Sequence, residues 1–423
     1  MIVLAFYVAL FVGCYFVVKL VRSQMDARRD FTSLKTVTFG DESAVTPDRI
    51  ASVLSVVCLF FIWGAFTNSV LVPLHVPGPY SGDVEFTYTA ETSDGESADA
   101  TVFIRVYGRD EEEGDPPEID EGDGLALNDA GSAGAWGSVL IRAPRNDPGA
   151  EGDDGYGIVA INGEPIATNE TVRVDNGTVT LTQRGSLNFT PTAGMQMQPI
   201  WLPAPEAIWF RLKEIWTDGY QNSTLLEHLW ASLFRVLGGF FFGALVGIPL
   251  GYAMGLSGWF RGWFDPIVEF MRPVPPLALI PLVIIWFGIF ETGKIVLLFL
   301  AALWIMTIAA RAGVAGVNIS KIHAAYSLGA SKGQILWHVI VPNSLPEIFT
   351  GARVAMGVCW GTVVAAELVA ATQGAGMMII AASRFQLTDI VILGIILIGI
   401  IGFGIDILMR AAENWLVPWK GKS

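Results

Sequence analysis

The chain has little of what soluble enzymes and secreted modules are made from. Charged residues make up only 16% of its 423, against 52% hydrophobic, where an ordinary soluble domain runs near a quarter charged. Cysteine is scarce. Cys14, Cys58 and Cys359 all lie in apolar stretches, so no disulfide framework is available to any soluble part. The four histidines, His75, His228, His323 and His338, form no ligand-spaced cluster with these cysteines, and no metal site is expected. The chain also lacks a Gly-x-x-x-x-Gly-Lys-Ser/Thr phosphate loop. No nucleophile–base pair emerges either, which leaves an enzyme reading without support.

What the chain does have is apolar length. About 20 apolar residues cross a hydrocarbon core, and seven stretches reach or approach that length: Met1–Val21, Ala51–Val72, Leu229–Leu256, Ile267–Phe290, Ile295–Ala312, Thr350–Ala371 and Ile390–Met409. The first carries its positive charges after the apolar run (Lys19, Arg22, Arg28, Arg29, Lys35) rather than before it. It therefore reads as an uncleaved anchor with its N-terminus outside, and residues 22–50 read as a cytoplasmic loop. Continued threading puts Arg261, Arg311, Lys321, Lys332, Arg410, Lys420 and Lys422 inside, as the positive-inside bias requires.

Between residues 73 and 203 the composition changes. This segment holds 23 acidic and 6 basic residues, while the rest of the chain holds 17 and 20. Val84–Ala90, Val102–Tyr107, Gly157–Asn162, Thr171–Val174, Thr178–Gln183 and Leu187–Thr190 alternate β-branched or aromatic residues with polar ones, separated by Asn-Gly and Arg-Gly turns. That pattern predicts an antiparallel β-sandwich on the outer side of the membrane. The run from Asp110 to Asp123 is dense in carboxylates but shows no regular calcium-ligand spacing, and reads as a solvated loop. Three Asn-x-Thr sequons, at Asn169, Asn176 and Asn188, suggest surface loops.

The most informative cytoplasmic segment is VNISKIHAAYSLGASKGQILWHVIVPNSLPEIFTGARVAMG, within residues 313–346 and just beyond. Ser320 can cap a short helix, Gly329 can end it in the left-handed region, and Ser331 with Gln334 has capping-box spacing for a second helix that Pro342 would close. The product is an exposed helix–glycine–helix hairpin, a docking surface. The spacing Ala324-Ala325, Gly329-Ala330, Val339-x-Val341-Pro342 resembles the "EAA" loop of ABC importer permeases, with His323 where that family has a glutamate. WLPAPEAIW, ASLFRVLGGFFFGALVGIPLGYAMG, MRPVPPLALIPLVIIWFGIFETGKIVLLFLAALW and GTVVAAELVAATQGAGMMI resemble permeases of the taurine, aliphatic sulfonate and nitrate group. The stretches GDVEFTYTAETSDGESADATVFIRV and NGTVTLTQRGSLNFTPTAG resemble bacterial cadherin-like repeats.

The resemblance implies an all-α polytopic membrane protein of the type I ABC importer permease fold, carrying an inserted all-β sandwich-like periplasmic domain. Residues 204–423 would be the permease core, and the first span and acidic insert would be additions to it. It also implies a homodimer in the bacterial inner membrane, an ABC ATPase dimer carrying ATP and Mg at the hairpin, and a periplasmic solute-binding protein. No nucleic acid is expected. His323, Ala324, Ala325, Gly329, Ala330 and Pro342 would couple to the ATPase.

Pathway candidates rest on position. Glu367 lies in an otherwise apolar span, where a charge costs about 2.5 to 3.5 kcal/mol and usually faces a cavity or a partner. Trp360 belongs to the same span. Pro273, Pro275, Pro276 and Pro281 would break the fourth span, which is tolerated where backbone lines a cavity. Gly238, Gly239, Gly243, Gly247 and Gly251 read as a close-packing stripe, and Gly374-Ala-Gly376 as a tight outer turn. A secondary transporter should show several intramembrane ion-pair residues, and only Glu367 reads as one. An adhesion or sensing protein built on the insert would need one or two spans, not seven.

Overall fold

The structure, a computed structural model, describes residues 2–26, 49–108, 114–150 and 155–419. They fall into two compact units, Met1–Glu206 and Ala207–Ser423. Most of the expected loop at 22–50, the carboxylates 110–113, and Lys420 and Lys422 lie outside the described residues.

The first unit opens with two apolar helices. Helix α1 (Ile2–Asp26) packs on α2 (Arg49–Phe66) through Tyr7, whose ring stacks on Phe61 at 5.7 Å while its hydroxyl donates to the Leu74 carbonyl at 3.1 Å. Most of the apolar surface of α1 is exposed, as suits a helix whose solvent is lipid. The second span is shorter than expected. It stops at Phe66 rather than Val72, because the chain turns at Thr67–Ser69: the Ser69 N–H donates to the Gly64 carbonyl at 3.1 Å and Asn68 takes a positive φ.

Among the described residues, nine strands follow in two sheets. One has the order β3-β2-β1-β5-β6, the other β4-β9-β8-β7. Strands β1 (Gly82–Glu91) and β2 (Ser97–Tyr107) form a hairpin, and β5 is Gly157–Ile161, β7 Thr171–Val174, β8 Gly177–Leu181 and β9 Leu187–Pro191. Each was foreshadowed by alternation, and the alternation is what burial follows: Val84, Phe86 and Tyr88 point inward from β1, and Val102, Ile104 and Val106 from β2. Across the two sheets Phe86 stacks on Phe189 at 6.1 Å. Alternation did not reveal β3 (Asp129–Gly134), β4 (Val139–Ile141) or β6 (Glu164–Pro165). Strand β3 reads DAGSAG, poor in β-formers, and is held by pairing parallel to β2. The sandwich is therefore not wholly antiparallel. Nor are all three sequons in loops, since Asn188 sits within β9. One polar cluster enters this core: buried Asp147 accepts from Tyr156 Oη at 2.7 Å, Tyr88 Oη at 3.0 Å and the Leu127 N–H at 2.7 Å.

The second unit is helical. After α3 (Pro205–Asp218), helix α4 (Leu225–Leu256) starts on a capping box in which Thr224 and Glu227 satisfy each other's backbone N–H groups. It packs along α7 (Glu291–Ala315), and the small-residue stripe explains how: a Cβ at Gly239, Gly243, Gly247 or Gly251 would run into Leu298, Ala302, the Leu303 carbonyl or the Thr307 carbonyl. Gly238 faces open space and has no part in this contact. The expected fourth span is broken. Helix α5 (Gly258–Met271) and a segment running from Pro276 through α6 (Ile280–Phe287) are bent by 92° across a short break. Pro275 precedes this segment and Pro276 begins it, with no amide N–H to carry a helix across. Helices α10 (Val341–Ala370), α11 (Ala375–Arg384) and α12 (Thr388–Leu416) complete the unit. Among the described residues five helices are long and apolar enough to span a membrane, or six if the bent pair counts as one.

Candidate functional site

Two places in the second unit concentrate polar function. The first is the hairpin. Helix α8 (Ile319–Ser327) is capped by Asn318, whose Oδ1 accepts from the Ser320 N–H at 2.8 Å, so the cap is Asn318 and not Ser320. Gly329 has φ +80°, and the Ala330 N–H donates back to the Ala325 carbonyl at 3.1 Å, closing the helix in the manner that favours glycine. The Ser331–Gln334 capping box forms and starts α9 (Lys332–Ile335).

Pro342 does not end this second helix. The backbone widens into a π-helical turn over Leu336–Ile340 and runs on into α10. A proline ring lacks the N–H and collides with the carbonyl four residues back, and one wider turn relieves both problems. The second arm of the hairpin and the span are therefore one continuous helix, Lys332–Val369. Leu328 stands 88% exposed at the tip. Ala325, Gly329, Ala330, Gln334 and His338 line a groove of about 370 Å³ beside it. His323 and Ala324 are exposed on α8. Residues 313–346 contain Lys321 and Lys332 and no Asp or Glu.

The second place surrounds Glu367. Its side chain is fully buried, and its oxygens accept from Arg235 Nη1 at 2.7 Å, Ser232 Oγ at 2.9 Å and the Gly376 N–H at 3.0 Å. Arg235, on α4, uses Nη1 also for the Gln373 carbonyl at 2.7 Å. Its other edge meets Glu291, the first residue of α7, with Nη2 to Oε1 at 2.7 Å, and Lys294 Nζ reaches the same oxygen at 2.8 Å. His228 ties the turn after α10 to α4: its Nδ1 accepts from the Gly374 N–H at 3.1 Å while Nε2–H donates to the Tyr220 carbonyl at 2.9 Å. That pairing fixes the neutral Nε2–H tautomer, because a carbonyl can only accept and an N–H can only donate. Gly374 has φ +140°, and a Cβ there would strike the Glu367 carboxyl.

Glu367 is thus a partnered buried charge that also touches an open cavity of about 980 Å³, whose wall includes Glu291, Lys294, Gln373 and Arg384. Trp360, Pro275, Pro276 and Pro281 do not line that cavity. Trp360 donates from Nε1 to the Ile398 carbonyl at 3.1 Å and lines a cavity of about 120 Å³ against α12. The prolines shape the break between α5 and α6 instead. Arg235 was missed as an intramembrane charge. The signal was there, a lone arginine inside the apolar run ASLFRVLGG, and it is the same signal that pointed to Glu367. Glu291 and Lys294 fall between two apolar runs and carried no such mark.

These features are those of a transport subunit, and comparison with known proteins agrees. Residues 243–417 match the family described as binding-protein-dependent transport system inner membrane component. The chain is 45% identical over 259 residues to the taurine transport system permease protein TauC of Escherichia coli strain K12, covering 61% of this chain and 93% of the relative. It is 37% identical over 219 residues to a putative aliphatic sulfonates transport permease protein of the same strain, covering 52% of this chain and 82% of the relative. To the nitrate import permease protein NrtB of Synechocystis it is 32% identical over 211 residues, covering 50% and 77%. The chain belongs to the binding-protein-dependent inner membrane components, the permease subunits of ABC importers, and is a multi-pass membrane protein. Its rival readings as a secondary transporter or an adhesion protein fall with that assignment.

Proposed function

We propose that the chain forms the translocation pathway of an ATP-driven importer for a small anionic solute, with taurine or another organosulfonate favoured and nitrate-like anions next. The relatives' names support this choice of solute. Two copies pair in the inner membrane, and a separate ATPase dimer, holding ATP and Mg, receives the α8–α9 hairpin of each. The acidic sandwich, cadherin-like in its strand motifs, lies in the periplasm and helps to dock the solute-binding protein, its negative charge steering a basic partner patch.

The observation that carries the coupling role is the continuity of the hairpin's second arm with α10. A push on the Leu328–Ala330 tip would pass into α9 and reach Glu367 along the single helix Lys332–Val369. With Lys321 and Lys332 and no carboxylate, the hairpin suits an ATPase groove lined by acidic rather than basic groups. Gly329→Val tests it, because a β-branched residue is strained at φ +80° by about 1–2 kcal/mol or more. Nothing stands within 4 Å to clash with the new side chain. Purified with its ATPase, the variant should assemble but lose binding-protein-stimulated ATP hydrolysis by at least tenfold. Unchanged hydrolysis would remove the hairpin from the coupling path.

A further inference from the structure

Arg235 is almost wholly buried, its side chain 4% exposed, and its two edges are treated differently. The Nη1 edge is locked. Its partner Glu367 has no exposed surface and is held in addition by Ser232 and Gly376, and the Gln373 carbonyl completes that edge. The opposite edge, Nε and Nη2, faces Glu291, and Lys294 Nζ adds a third donor to the same carboxylate. Glu291 itself is 56% exposed and stands in the wall of the 980 Å³ cavity, with Arg384 also on that wall. Three donors from two nearly buried cations therefore converge on one solvent-accessible carboxylate at the edge of a large cavity.

A fixed fork of charge-assisted donors of this kind recognises oxyanions of many types. The charges also balance only while Glu291 stays: Arg235 and Lys294 bring two positive charges, while Glu367 and Glu291 bring two negative. If the Glu291 side chain swings into the cavity, Arg235 and Lys294 are left with one uncompensated positive charge beside open space. A buried unpaired charge is costly, and an arriving anion removes that cost.

We propose that Arg235 and Lys294 form an anion site which the chain's own Glu291 occupies in this structure, and that the oxyanion headgroup of the solute exchanges with it. A sulfonate offers three oxygens to the three donors, one more than the carboxylate it replaces. Arg384 draws the anion into the cavity before exchange. The site is thereby closed to anions at rest and opens only when Glu291 is displaced. This inference rests on the importer reading and names where in the chain the solute's charge is held.

The test uses the full chain assembled with its ATPase in neutral detergent, and radiolabelled taurine and ethanesulfonate as probes, without the binding protein. Glu291→Ala removes the internal competitor, and Glu291→Gln serves the same purpose should the alanine variant fail to assemble. Either should tighten binding of both probes at least tenfold relative to the parent, and adding Lys294→Gln should abolish the gain. No gain in the Glu291 variants, or a gain indifferent to Lys294, overturns the site. If only phosphatidylglycerol competes for the freed site and neither sulfonate binds, the occupant is a lipid headgroup and the solute assignment is overturned. Binding-protein-dependent taurine uptake by the parent complex in vesicles is measured alongside. Uptake without the affinity gain refutes the site and leaves the importer reading standing. Absence of uptake, with nitrate and other sulfonates failing as well, refutes the reading itself.

Discussion

At the scale of single residues, burial decides which charges matter. Glu367 and Arg235 are mutually dependent inside the protein, and removing one partner of a buried pair costs about 3–5 kcal/mol because the other is left uncompensated. Glu367→Ala should therefore lower the melting temperature of the purified assembly far more than Asp83→Ala, whose partner Arg105 lies solvated at the surface where an ion pair contributes little. Equal shifts in thermal unfolding would contradict this ranking. In the sandwich, burial first and the nearby Asp147 second raise the Asp129 carboxyl to about 6. Its folded value lies above its unfolded one, so its favourable contribution is complete below about pH 4 and is lost as pH rises through about 6. Asp129→Asn should stabilise the sandwich at pH 7 by about 1–2 kcal/mol, discounted for partial exposure, and should flatten the pH dependence between 4 and 6. Denaturant melts at pH 4.5 and 7 would show both effects, and a variant as pH-sensitive as the parent would refute the assignment.

At the scale of elements, close approach between α4 and α7 depends on what is missing from α4. Gly243 sits against the Ala302 Cβ and the Phe299 carbonyl, with no room for any side chain. Gly243→Leu should force the helices apart and cost about 1–3 kcal/mol or more through overpacking, whereas Gly238→Leu, which points into open space, should be tolerated. Parallel yields and melting temperatures of the two variants check this directly, and equal damage would remove the glycine seam. The elements differ in how readily the sequence discloses them. Helices α4, α7 and α12 are long apolar runs and declare themselves. The bend between α5 and α6 is marked by proline, but its 92° angle is not, because proline removes a helix bond without specifying where the next segment points. Pro342 misled in the opposite direction: a local rule ends a helix there, yet the gain from continuing one span through a π-helical turn outweighs it.

At the scale of the whole molecule, the acidic sandwich belongs to one compact unit, Met1–Glu206, and the permease helices to the other, Ala207–Ser423. Deleting Gly82–Met195 should leave the ATPase-associated core assembled while weakening its affinity for the binding protein several-fold, as measured in detergent at low salt. The loss should shrink as salt rises and the sandwich's excess of 17 negative charges is screened. Unchanged affinity at low salt would deny the sandwich a docking role.

The sequence by itself determined the membrane class, the acidic β-rich segment, the six alternating strands and the Gly329 turn, because each depends on composition or on neighbours a few residues apart. The hairpin's likeness to the importer loop was legible for the same reason, since its caps and its turn are local. Only the tertiary structure decided that β3, a strand of small residues, pairs parallel to β2, or that the second arm of the hairpin and α10 are one helix. It alone decided that Glu367 shares Arg235 with Glu291. Those residues are 132 and 56 positions from Arg235 in the chain, and a charge pair at such separation leaves no periodic trace. What brings them together is the packing of α4 against α7 and α10, with the glycine seam holding α4 to α7, and that depends on shape rather than pattern.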